Sequence, residues 1–118
     1  MATRLPAFAV GLLATMDARE HLRGLVGQTI HTITRRQRNR ILELRHDDVL
    51  VATDKSPAGQ PVPIAGVQAA MDMLERDGEV RINVKTVGYR SAFVGAALAT
   101  LPGALILTDP PRVKLERR

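Results

Sequence analysis

Apolar residues along this chain fall into short blocks with two different periods. From Asp17 to Val26 (DAREHLRGLV), Ala18, Leu22, Leu25 and Val26 recur at i, i+4, i+7 and i+8, the spacing of one helical face. Asp17 is placed to cap this helix, Glu20 three residues on completes a capping-box pattern, and Gly27 is its natural stop. Gln28 to Thr34 (QTIHTIT) is rich in β-branched residues and predicts a strand. Ile41 to Arg45 (ILELR) and Val49 to Thr53 (VLVAT) flank His46-Asp47-Asp48, and the short acidic gap predicts a hairpin. Asp54 to Pro63 (DKSPAGQPVP), with three prolines and one glycine, predicts a loop.

In the second half, Val67, Ala70, Met71 and Leu74 recur at i, i+3, i+4 and i+7, predicting a helix from Ile64 to Arg76 that Asp77-Gly78 ends. Glu79 to Val84 (EVRINV) alternates, with Val80, Ile82 and Val84 inward, as in a sheet with one wet face. Ser91 to Leu101 (SAFVGAALATL) is almost wholly apolar and small. It predicts a helix packed on several sides, whose alanines and glycine admit close backbone approach. Pro102-Gly103 stops it, Ala104 to Thr108 forms a strand, and Asp109-Pro110-Pro111 breaks that strand. Arg112 to Arg118 (RVKLERR) trails as a basic end or a short edge strand. The order α-β-β-β-α-β-α-β predicts an α+β fold, a mostly antiparallel sheet packed by helices. No repeat or linker divides residues 1–118, so one domain is expected.

Composition narrows the partners. At 45% hydrophobic, 118 residues can bury an ordinary core, which excludes a disordered tail. With no cysteine there are no disulfides, thiolate metal sites or cysteine nucleophiles, in keeping with the expected cytoplasmic location. Leu5 to Ala14 (LPAFAVGLLA) follows Arg4 and imitates the apolar region of a signal peptide. It is too short to cross a bilayer as a helix and runs into an amphipathic stretch. A core-packed N-terminal segment and no membrane partner are therefore expected. The net charge of +5 and a pI near 10.7 favour a polyanion. Fourteen of the seventeen basic residues are arginine, which suits phosphate but also follows from GC-rich codons. Phe8, Phe93 and Tyr89 are the aromatics, too few for the stacking platforms of single-strand binders, so duplex DNA is the better partner.

Charge is concentrated in RRQRNR, where Arg35, Arg36, Arg38 and Arg40 interleave with Gln37 and Asn39 between two strand-like blocks. Guanidinium groups match phosphate oxygens, and the two amides carry the donor and acceptor pairs that read base edges. A hairpin carrying them would grip duplex DNA. The same residues also suit a solvated basic turn. A second candidate is Gly88 to Ser91 (GYRS). Ser91 could cap the apolar helix, and Tyr89, Arg90 and Lys85 would complete a phosphate seat at its N-terminus. An ordinary cap is the simpler account. A third is Thr53 to Gln60, where Lys55, Ser56 and Gln60 are contact-capable in what is otherwise a plain connection, without the spacing of a P-loop.

Catalytic patterns are absent from the sequence. His21, His31 and His46 are scattered, and no nucleophile elbow surrounds Ser56 or Ser91. Asp47, Asp48 and Asp54 suggest magnesium ligands of a nuclease. However, Glu43-Leu44-Arg45 and Glu79-Val80-Arg81 place arginine where that pattern has lysine, and turn acids explain them better. No catalytic residue, metal or cofactor is expected.

The segments GQTI, NRIL, VLVAT, SPAGQPVPI, LERDGEV and GYRSAFVGAALATLPG, from Gly27 to Leu105, span about two-thirds of the chain. In style they resemble small DNA-reading domains appended to bacterial restriction and HNH-type endonucleases. The resemblance implies a non-catalytic module that reads DNA or modified DNA beside a nuclease domain or subunit. It carries over no individual residue, and no HNH catalytic residue is identifiable. Three rivals stand beside it. In a winged-helix arrangement Val67 to Arg76 would enter the major groove, although Asp72 and Glu75 make that face acidic. In a protein-interaction module the arginines would meet an acidic partner and the apolar third helix would dock a subunit. A small phosphoester-cleaving enzyme would depend on Asp54.

Overall fold

The computed structural model describes residues 16–116 and assembles two antiparallel sheets and four helices around one apolar core. The α+β class expected from the sequence is the one observed. The segment Leu5 to Ala14 lies outside the described residues.

Helix α1 (Ala18–Arg23) starts at Asp17, whose Oδ1 accepts the Glu20 N–H at 3.2 Å. Glu20 pairs with Arg23 at 3.5 Å, so only half of the capping box forms. The helix is shorter than its apolar pattern: Gly24 ends it, and Val26, expected on the buried face, is 40% exposed. Strands β1 (Thr29–His31), β2 (Arg38–Leu44), β3 (Asp48–Ala52) and β4 (Gln60–Pro63) then form a four-stranded antiparallel sheet in chain order. β2 begins at Arg38, so half of the arginine run belongs to a strand rather than to a connection. Strand β4 lies in the segment expected to be loop. Pro61 and Pro63 alternate along an edge strand, where a missing N–H is tolerated, while Gln60 and Val62 register with Val51 and Val49.

Helix α2 (Ile64–Asp77) buries Val67, Ala70, Met71 and Leu74, the face its sequence predicts. Gly78, at φ 79°, closes it with an N–H bond to the Leu74 carbonyl at 2.7 Å. Its polar side is already engaged. The Gln68 carboxamide accepts from Ala18 N–H and donates to the Met16 carbonyl, each at 2.8 Å, and Arg76 is bonded twice to Asp77 at 3.0 Å. That hydrogen-bonded pair holds the Asp77 carboxyl below its ordinary range. Gln68 is thus engaged in the α1–α2 contact, and Arg76 is paired with its chain neighbour at the exposed end of the helix.

Strand β5 (Glu79–Arg81) stops short of the alternating pattern because Asn83 Oδ1 caps Thr86 N–H at 2.8 Å and starts the short helix α3 (Val84–Val87). Val84, expected inward, is consequently 68% exposed. Helix α4 (Ser91–Ala99) buries every residue from Phe93 to Leu98. It is therefore core, and the subunit-docking role considered for it is lost. Strands β6 (Ala104–Leu107) and β7 (Arg112–Leu115) complete the second sheet in the order β5-β7-β6. The basic C-terminal segment is thus the central strand and not an edge: Val113 is fully buried between the solvent-facing Lys114 and the half-buried Arg112. Among the described residues no helix is long and apolar enough to cross a membrane.

Candidate nucleic-acid interface

The connection between β1 and β2 is organised by one buried hydroxyl residue. Thr32 donates its N–H to the Gln37 carbonyl at 3.0 Å and accepts the Gln37 N–H on Oγ1 at 3.0 Å, while its carbonyl accepts the Arg36 N–H at 3.1 Å. This tight turn leaves Arg35, Arg36 and Gln37 exposed, with Arg36 in the left-handed region at φ 56°. Arg38 and Arg40 follow on the outer face of β2, opposite His31 and Thr29 of β1. The four arginines therefore divide between a turn and a strand face, and all four are exposed.

Their partners set them apart. Arg19, Arg23, Arg45, Arg76, Arg90 and Arg112 each hold a hydrogen-bond or carboxylate partner, and Arg38 reaches Asp54 at 3.2 Å across exposed surface. The described arginines without such a partner are Arg35, Arg36, Arg40 and Arg81, three of them in the run. Unneutralised guanidinium groups grouped in this way make a local positive field that favours a polyanion.

Asn39 is not on that surface. Strand alternation turns it to the inner face of the sheet beside Ile30 and Ile41, leaving it 5% exposed, so the expected base-reading role at the surface is corrected. Its carboxamide has no hydrogen-bond partner among the described residues.

Asn39 instead lines a cleft of about 440 Å³ between the open end of the sheet's inner face and the start of α4. Arg35, Arg38, Lys55 and Arg90 stand around it against one carboxylate, Asp54. Gln60 Oε1 accepts from Arg90 Nη1 at 2.9 Å, and Gln60 Nε2 donates to Ser56 Oγ at 3.2 Å. Parts of all three sequence candidates thus meet in one place. Ser91 proves not to be the cap of the apolar helix. Arg90 occupies the N-cap position at φ 61°, outside the extended geometry a capping side chain needs, and makes no side-chain cap bond. The first intrahelical bond is Val94 N–H to the Arg90 carbonyl at 3.1 Å, so the amides of Ser91, Ala92 and Phe93 precede it uncapped. Tyr89 is 64% exposed with the Arg90 guanidinium 5.8 Å from its ring centre, and Lys85 is exposed on α3. Neither residue lines the cleft.

The carboxylates considered for metal chemistry are dispersed. Asp48 is bonded to Arg45 at 2.7 Å, Asp47 lies 3.7 Å from His46, and Asp54 faces Arg38. Among the described residues no three His, Cys, Asp or Glu side chains gather closely enough to hold an ion. Missed by the sequence reading were the structural use of Thr32 and the inward turn of Asn39. Counting back by two from the apolar Ile41 finds the latter. Comparison with protein-family models, curated proteins and solved structures gives no match for this chain.

Proposed function

We propose that this domain is a non-catalytic duplex DNA-binding module, gripping the phosphate backbone with Arg35, Arg36, Arg38 and Arg40. The observation that carries the reading is the clustering of exposed guanidinium groups, three of them without an internal partner. Gln37, exposed beside them, supplies the one amide on that surface for base edges. Phosphate contacts of this kind give affinity with little sequence choice. In a restriction-type system the module would hold DNA for a nuclease domain or subunit. Lys85, Tyr89 and Arg90 would add contacts only where the duplex extends past the turn.

The test is fluorescence anisotropy of a labelled duplex with the native protein and with all four arginines changed to alanine. A folded variant weakened by more than about tenfold is expected. Unaltered affinity would eliminate this surface. A second reading, a protein-docking module, rests on Leu105 and Ile106, 42% and 45% exposed on the edge strand β6. Sedimentation in the absence of nucleic acid separates the two.

A further inference from the structure

We propose that the cleft between the inner face of the four-stranded sheet and the N-terminus of α4 is a nucleotide site. The phosphate would sit at the helix end and the edge of the base at Asn39. This goes beyond the outer arginine surface: the cleft shares Arg35 and Arg38 with it, but Arg36 and Arg40 do not line the cleft, and Asn39 and Arg90, which do, lie outside that surface.

Three observations converge on a ligand of this chemistry. The Asn39 side chain is buried, opens on the cleft and is unpaired among the described residues, offering a carboxamide donor and acceptor together. That pairing matches a base edge that presents an adjacent acceptor and donor, as adenine does. Helix α4 has nine residues and begins without a side-chain cap, so its first-turn amides and positive end are available to an anion. Arg90, at the helix start, lines the cleft together with Lys55 and Arg35, giving cationic groups for a phosphate. A volume of about 440 Å³ falls in the range of small-ligand sites and is far larger than one phosphate needs. An anion seat alone leaves Asn39 unexplained.

Two sources share this chemistry: a free nucleotide, and a single nucleotide of a bound strand turned out of its stack. Amide chemical-shift titrations with adenosine monophosphate and with inorganic phosphate test the site. Saturable shifts at Asn39 and from Ser91 to Phe93 are expected, with the nucleotide binding more than about tenfold tighter than phosphate. Asn39→Leu, which replaces an unpaired polar group by an apolar one of similar shape, should fold and should lose that advantage while keeping phosphate binding. Arg90→Gly, which suits the left-handed backbone, should weaken both ligands. No saturable shifts, or nucleotide affinity unaltered by Asn39→Leu, would overturn the proposal. If Asn39→Leu does not fold, equal affinity of the native protein for nucleotide and phosphate overturns it.

The source is read from duplexes. Preference for one with a single unpaired nucleotide, lost in Asn39→Leu, assigns the ligand to a strand. Equal binding of both duplexes with retained mononucleotide binding assigns it to a free nucleotide. The Arg36→Ala/Arg40→Ala double variant should leave mononucleotide binding intact while weakening duplex binding, so failure of the cleft and failure of the outer surface are read separately.

Discussion

Gly95 brings helix α4 close to Ile82. A β-carbon there would lie 2.6 Å from Ile82 Cγ2 and 3.2 Å from its Cγ1. Ile82 cannot retreat easily, since it is β-branched, 8% exposed and tied through its N–H to the Pro111 carbonyl at 3.0 Å. Gly95→Ala therefore sets a helix-propensity gain of about 1 kcal/mol against overpacking of about 1–3 kcal/mol. Overpacking should win, and a urea midpoint lower than the native one is the expected result. Gly66 in α2 provides the contrast, because a β-carbon there meets nothing within 4 Å. Gly66→Ala should raise the midpoint, with a gain in stability of up to about 1 kcal/mol.

Among the elements, the α1–α2 pair depends on Gln68 more than on its apolar contacts alone would suggest. The carboxamide satisfies both Ala18 N–H and the Met16 carbonyl, and Ala18 is fully buried. Gln68→Leu would strand that amide and should cost about 1–3 kcal/mol, measured by thermal or urea unfolding, while DNA affinity of the folded protein stays unaltered. A groove-reading Gln68 would give the opposite pattern. Helix α2 itself was legible in the sequence because its four buried residues repeat with a helical period and Gly78 supplies the left-handed stop. Strand β4 was not, because Pro61 and Pro63 argue against a strand until the edge position is known. The central place of β7 was hidden for a different reason: RVKL alternates, but sheet order comes from long-range pairing with β5 and β6. Asn83 was a readable cap, yet the strong alternation of EVRINV outweighed it.

At the scale of the whole molecule, the arginine run was visible as a charge cluster, but the inward turn of Asn39 within it depended on strand phase. If all four arginines meet phosphates, log affinity should fall against log salt with a slope of about −3.6, flattening by about 1.8 in the Arg36→Ala/Arg40→Ala variant. Asp54 then separates binding from catalysis. It faces Arg38 at 3.2 Å with both side chains largely exposed, so this pair is weak and readily exchanged for a phosphate. Asp54→Asn frees Arg38 and removes the carboxylate that lines the cleft beside it. A binding module should hold duplex DNA up to about fivefold more tightly after that change at low salt, and the difference should vanish as salt rises. A metal-dependent phosphoesterase built on Asp54 would instead lose divalent-ion-dependent cleavage. Anisotropy and a cleavage assay on the same variant decide between them, since one substitution drives the two functions in opposite directions.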